Sequence, residues 1–213
     1  MTHTIKHSGE TFVFFISQTF SFFFIGFLFD IFLKPRIEMP EGLTIPQGTL
    51  IVSNHQSWID PWALIYFLGP QNIIPLLPMR FPVTHNFFRK TIMGSILWCL
   101  GGFNIGSTPL EKAKKLLYIR NLIHQKYSVL IFPEGKWVQN IKERFEFKRG
   151  IHMLVHEDTP ILLVQLSNLK NNLFTYKFRR SGIRIKYSRL INSGSASEKI
   201  KLIHEFYGIH DKV

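Results

Sequence analysis

The sequence predicts an α/β domain, a mixed, largely parallel sheet flanked by helices, preceded by an N-terminal hydrophobic membrane-anchor helix. Three observations predict it. Apolar runs of strand length, Leu50-Ile51-Val52, Tyr127–Phe132 and Ile161–Leu166, alternate with longer segments of helical pattern. The first two runs give way at once to turn-forming residues, Ser53-Asn54-His55 in one case and Pro133-Glu134-Gly135 in the other. From Thr11 to Phe29 the chain carries no charge, and Thr11–Leu33 holds ten of its 21 Phe.

The elements follow in order. The Phe-rich stretch has the length of a membrane-spanning helix, about 20 residues, but Ser17-Gln18-Thr19 and Ser21 interrupt its middle. An anchor that spans the bilayer and one that lies in a single leaflet both fit. No small-x-small cleavage site follows, which disfavours a signal peptide. Pro35 to Gly48 is punctuated by Pro and Gly and separates an anchor and connector over residues 1–39 from a domain over residues 40–213. In that domain a first strand at Leu50–Val52 leads to a helix over roughly Pro61–Leu68. Asn72–Leu77 reads as a second strand and Phe87–Leu100 as an apolar helix. Pro109–Gln125 is an amphipathic helix, with Lys112, Lys114, Lys115 and Arg120 among Leu116, Leu117, Ile119 and Leu122. Tyr127–Phe132 is a buried strand, and a short helix over about Gly150–Glu157 precedes the strand Ile161–Leu166. More polar strands at Leu173–Phe178 and Ile183–Leu190, able to pair antiparallel, lead to a terminal helix near Ala196–Tyr207.

Composition narrows the chemistry. A single cysteine, Cys99, excludes an intramolecular disulfide framework and fits a reducing compartment; in its apolar setting it reads as a core residue. The net charge of +12 belongs to residues 41–213, because Lys6, Lys34 and Arg36 are balanced by Glu10, Asp30 and Glu38. A basic domain tied to an apolar anchor suits anionic lipid surfaces, phosphorylated cofactors or acidic carrier proteins better than nucleic acid.

The candidate chemistry sits in Asn54-His55-Gln56-Ser57-Trp58-Ile59-Asp60-Pro61. Pro61 suits the first position of a helix and Asp60 its N-cap, so His55 and Asp60 share a strand-to-helix turn. On a continuous helix, residues five apart point about 140° apart; a tight turn can instead fold the carboxylate back onto the ring. A histidine held by an acid at the mouth of a sheet is a candidate general base. The spacing alone is weak, since chance supplies it in roughly one chain in six of this composition. Its position is stronger: open α/β sheets bind ligands beyond the carboxyl ends of their strands, and both Asn54–Asp60 and Pro133–Gly135 follow strands directly.

These blocks resemble the glycerolipid acyltransferases, the superfamily that includes lysophosphatidate (1-acylglycerol-3-phosphate) acyltransferase. Asn54–Asp60 is similar to that family's first block and Phe132-Pro133-Glu134-Gly135 to its third. Phe147-Lys148-Arg149-Gly150 follows at the expected distance, Thr159–Val164 resembles the fourth block, and Gly102–Ile105 is a poor version of the second. The resemblance covers about Pro40 to Leu190. It implies transfer of a fatty acyl group from a thioester donor, acyl-CoA or acyl carrier protein acting as co-substrate with no resident cofactor or metal, to a lysophospholipid hydroxyl. It further implies His55 as general base, Asp60 as the acid that orients it, and Glu134 and Gly135 as residues that help hold the acceptor. Lys136 and Arg149 are the cations expected beside them. Membrane lipids are the expected partners, without nucleic acid, and the expected location is the cytoplasmic face of a membrane, the inner one in a bacterium.

Two departures bear on the acceptor. The family's second block usually ends in an arginine, where this chain has Ser107, and the third usually continues Thr-Arg-Ser, where it has Lys136-Trp137-Val138. An ammonium lacks the bidentate fork of a guanidinium, so Lys136 is no equivalent replacement; Arg149 or Arg80 are the candidates to compensate. The Glu134-Gly135-Lys136 version also resembles tafazzin-like phospholipid transacylases, and a membrane-associated binding protein with a degenerate site is the alternative of another class. His152 and His156, four apart on the expected short helix, lack the order and third ligand of a zinc site. Lys177-Phe178-Arg179-Arg180, with Arg184 and Lys186, interleaves cations and aromatics as a nucleic-acid face does, and a phospholipid or carrier-docking surface explains the pattern equally well.

Overall fold

The structure is a computed structural model that describes residues 2–32, 35–136, 147–169 and 183–209, with α1 side chains described from residue 9 to residue 31. The elements in chain order are α1 (Thr2–Phe32), β1 (Arg36–Glu38), β2 (Leu50–Ser53), α2 (Asp60–Tyr66), α3 (Pro70–Leu76), β3 (Phe81–Val83), α4 (His85–Phe88), α5 (Thr91–Cys99), β4 (Gly102–Asn104), α6 (Pro109–His124) and β5 (Val129–Ile131). A 3-10 turn (Arg149–Met153), β6 (Ile161–Ser167), β7 (Arg184–Tyr187) and α7 (Ala196–Tyr207) complete the set.

The main sheet runs β1-β7-β6-β2-β5. β2 lies parallel to both β5 and β6, and β7 pairs antiparallel with β6 and parallel with β1. A second parallel pair, β3-β4, adjoins β5 through the Arg80–Val129 bridge. Side chains alternate across the sheet, which divides the core into two layers. Ile51, Leu130, Leu162 and Val164 face a cluster that takes in α2, α3 and the inner side of α1. Leu50, Val52, Val129, Ile131, Ile161 and Leu163 face a second cluster with α6, the 3-10 turn and α7. Burial on both faces explains why β2, β5 and β6 read as unbroken apolar runs rather than alternating ones. The fold class is the expected mixed, largely parallel sheet flanked by helices.

Local chemistry sets the helix ends. α6 opens on a capping box in which the Thr108 hydroxyl accepts from the Glu111 amide and the Glu111 carboxylate accepts from the Thr108 amide; Pro109 supplies the first helical residue. Ser195 and Glu198 repeat the device at α7, which ends at Gly208 in the left-handed conformation.

Asn72–Leu77, expected as a strand, is the helix α3. Gly69 at φ 78° breaks the chain after α2 and Pro70 starts the new helix. Ile73 and Leu76, three apart, are buried while Ile74 points to the surface, a helical pattern that two adjacent isoleucines conceal. Phe87–Leu100 divides into α4 and α5, and Gly150–Glu157 is shortened to one 3-10 turn. The three-residue strands β1, β3 and β4 were not expected. The expected strand Leu173–Phe178, the basic run Lys177–Arg180 and Trp137 lie outside the described residues.

α1 is not uniformly apolar in its surroundings. Phe14, Gln18, Phe22 and Phe29 form an inner stripe, and all four are buried against the domain. Two of the polar residues that interrupt the Phe run, Gln18 and Ser21, have partners there. The Gln18 amide donates to the Met79 and Leu100 carbonyls and accepts from the Met79 N–H, while the Ser21 hydroxyl accepts from the Trp62 indole N–H at 2.6 Å. Trp98 of α5 meets Phe14 edge-on. On the opposite side Phe12, Phe15, Phe20, Phe23, Phe24 and Phe27 are exposed, and Ile92, Met93 and Ile96 of α5 are exposed as well. The stretch Gly9–Ile31 is long and apolar enough to cross a membrane.

Candidate active site

The carboxyl ends of β2, β5 and β6 share one edge, and the two turns singled out in the sequence meet there. The first is tied down by its own amides. Asn54 faces the backbone of Leu166 at the end of β6, its Nδ2 donating to the carbonyl at 2.9 Å and its Oδ1 accepting from the N–H at 2.7 Å. Gln56 Oε1 accepts from the Leu169 N–H. These bonds hold the chain on either side of His55 against the neighbouring strand.

Asp60 organises the turn. Its carboxylate is fully buried, yet every side of it has a donor. Oδ2 accepts from the Gln56 and Ser57 amides and from the His55 ring at Nδ1, 2.8 Å away, while Oδ1 accepts from the Ser57 hydroxyl. A buried carboxylate is stable only with such a set of donors. Asp60 was expected as the N-cap of the following helix. The cap position is instead Ile59 and Asp60 is the first helical residue, because its side chain turns back over residues 55–57 rather than forward over the helix. That turn closes the five-residue gap which a regular helix would have held open. A carboxylate only accepts, so Nδ1 carries the proton and the ring is held in one tautomer.

The second turn grips His55 from the other side. The Phe132 ring stacks on the imidazole at 4.0 Å between centroids and 15° between planes. Two residues on, Glu134 Oε2 accepts from the His55 backbone N–H at 2.7 Å. Glu134 is only 3% exposed, and its Oε1 has no hydrogen-bond partner among the described residues. Burial, reinforced by the nearby Asp60 charge and opposed by the His55 N–H and by Lys136, pushes the Glu134 carboxyl up to about 7. The His55 side chain keeps 17% of its surface open, so the ring is held at the rim of the site rather than sealed inside it.

The remaining expected site residues lie in the second turn or follow it in the chain. Gly135 is left-handed at φ 65°, closes the turn by donating its N–H to the Phe132 carbonyl, and lies under the Lys148 ammonium, which a side chain at that position would have to displace. Lys136 is exposed beside it, and Arg149 is exposed at the start of the 3-10 turn. Sequence reasoning missed Lys148, whose N–H donates to the Pro133 carbonyl, and Phe132 as the partner of the ring. Of the two positions proposed to compensate the missing arginines, Arg80 is 8% exposed, lies over the Phe14 ring and donates to the Gly101 carbonyl, so it is spent on packing α1. Ser107 donates its amide and hydroxyl to Glu111 at the start of α6.

The chain resembles known proteins at two levels. The chain matches a solved structure, the 1-acyl-sn-glycerophosphate (LPA) acyltransferase PlsC from Thermotoga maritima, with a TM-score of 0.57 at 15% identity over 97% of this chain and 95% of that one. At that identity the likeness is one of fold. No curated protein matches the sequence. The family model described as Acyltransferase matches residues 35–167, a span that contains both turns and all three parallel strands that carry them. By that match, over more than half its length, the chain belongs to the Acyltransferase family.

Proposed function

We propose that this protein is a membrane-bound lysophospholipid acyltransferase that uses His55 as its general base, with 1-acylglycerol-3-phosphate as the acceptor and acyl-CoA or acyl carrier protein as the donor. The observation that carries the reading is the His55–Asp60 contact at 2.8 Å in a turn at the carboxyl edge of the sheet. With Nδ1–H committed to Asp60, Nε2 takes the proton of the acceptor hydroxyl as its oxygen attacks the thioester carbonyl. The buried Asp60 stabilises the imidazolium that forms, in the manner of a serine hydrolase triad without the serine. As the tetrahedral intermediate collapses the carbon–sulfur bond breaks, and the imidazolium returns its proton to the departing thiolate. The products are the ester and a free thiol.

Two further features support a lipid acceptor. Lys148 lies over Gly135 and Lys136 acts on Glu134, two cations at the second turn suited to an anionic headgroup, and Arg149 is exposed next in sequence to Lys148. The outer faces of α1 and α5 expose many large apolar side chains, more than the scattered ones of a water-bathed surface. Seated in one leaflet by that surface, the domain would draw both lipid substrates from the bilayer. The cytoplasmic face, where thioester donors are made, fits the single cysteine. A second acceptor reading, another lysolipid or a tafazzin-like transacylation, is favoured by Ser107 being engaged with Glu111 where the family usually has arginine.

The test is acyl transfer by the full-length protein in membranes, with labelled acyl-CoA and acyl carrier protein offered to a panel of lysolipids. Transfer to lysophosphatidate at least tenfold above lysolipids that lack a phosphomonoester is the expected result. Equal or better transfer to the latter moves the acceptor to the second reading, and inactivity with every donor and acceptor favours a binding protein with a degenerate site.

A further inference from the structure

Resting on the reading of His55 as the base, we propose that Glu134 is a positioning residue for His55, holding its backbone through the N–H, rather than a ligand of the acceptor. The resemblance assigns this acid to the substrate, but three observations place it behind the base. It is 3% exposed, so no acceptor reaches it while the turn is closed. Its Oε2 is already committed to the His55 N–H at 2.7 Å, the shortest link between the two turns. The residue two before it, Phe132, lies flat under the same imidazole, so one turn fixes both the main chain and the ring of His55.

That turn is itself fastened at both ends. The Gly135 N–H donates to the Phe132 carbonyl within it, and the Lys148 N–H donates to the Pro133 carbonyl from the far side of residues 137–146. Among the described residues, Asp60 holds His55 at Nδ1, Phe132 at the ring face and Glu134 at the backbone N–H. A general base works only within hydrogen-bond reach of the proton it takes, and a misplacement of about 1 Å costs roughly 100-fold in rate. The orphaned Oε1 fits this role. A carboxylate selected to bind a substrate would present its second oxygen to the site, whereas this one is buried without a partner among the described residues. Its sole described hydrogen bond is the one that reaches His55.

The test compares Glu134→Gln with Glu134→Asp in the full-length enzyme in membranes, under saturating donor and varied acceptor. Gln keeps an oxygen at the right reach but loses the charge; Asp keeps the charge but draws the oxygen back by one methylene. Positioning predicts that Gln retains kcat within about fivefold of wild type, and that Asp loses about 30-fold or more in kcat with the acceptor KM within about twofold. The opposite order, or a rise in acceptor KM of tenfold or more with kcat unchanged, overturns the proposal and returns Glu134 to the substrate. Phe132→Leu serves as a second probe of the same turn, and its loss should also fall on kcat; a loss confined to KM counts against the proposal. Full activity of His55→Ala would refute the base assignment itself, an outcome distinct from every result expected for Glu134.

Discussion

The two turns that meet at His55 are built on opposite electrostatic principles. In the first, Asp60 is buried completely and satisfied completely, with donors from Gln56, Ser57 and the imidazole on both oxygens. In the second, Glu134 is almost as deeply buried but has one oxygen bound and one without a hydrogen-bond partner among the described residues. The difference separates two jobs. Asp60 is arranged to hold its carboxylate against Nδ1, where an imidazolium needs a negative charge in the transition state. Glu134 is arranged to hold geometry, and its proton affinity rises as the consequence.

Substitutions can break or sharpen that contrast. The largest effect is expected from Asp60→Asn, which retains an acceptor for the turn amides but removes the charge and allows the wrong tautomer. A fall of about 10³- to 10⁴-fold in kcat is expected, with membrane binding unchanged, measured by acyl transfer against a folded-protein control. Asp60→Ala should in addition lose roughly 3–5 kcal/mol of stability, because it strands the donors of Gln56, Ser57 and His55 together.

The pH dependence of stability comes next. The Glu134 carboxyl lies at about 7 in the folded protein against 4.5 ordinarily, so between those values the folded state binds more protons than the unfolded one. Its contribution is present in full below about pH 4.5 and is lost as pH rises towards and through 7. The size is of order 3 kcal/mol. Denaturant unfolding between pH 5 and 8 should show this decline, and Glu134→Gln should flatten it. Removing the stack with Phe132→Leu should cost about 1 kcal/mol by the same unfolding measurement, alongside its effect on kcat. The smallest effect is expected at Gly135→Ala. There the left-handed backbone costs about 1 kcal/mol, and the obstructing Lys148 ammonium, at the end of a flexible side chain, can move aside.

The same two turns show what a sequence reveals. His55 and Asp60 were legible because an apolar run, a polar turn and Pro61 announce a strand entering a helix, and that junction is where α/β sheets carry chemistry. The grip of Phe132 on the imidazole was not legible. Stacking depends on the register of β2 against β5, with Val52 opposite Ile131, and no local pattern encodes a pairing across about eighty residues. Ile73 and Ile74 misled because adjacent β-branched residues favour a strand locally, while Gly69 and Pro70 restart a helix and the core accepts Ile73 alone. Gln18 and Ser21 read as flaws in an apolar helix and are its attachments to Met79, Leu100 and Trp62. A polar residue in an apolar run reports a buried partner only once that partner is in view.

The most direct measurement is acyl transfer by His55→Ala in membranes, with lysophosphatidate and saturating donor, beside wild type at matched protein levels. The account predicts that transfer falls to the uncatalysed level while the variant stays folded and membrane-bound. Transfer within tenfold of wild type would contradict it, because His55 would then not be needed to take the proton from the acceptor hydroxyl.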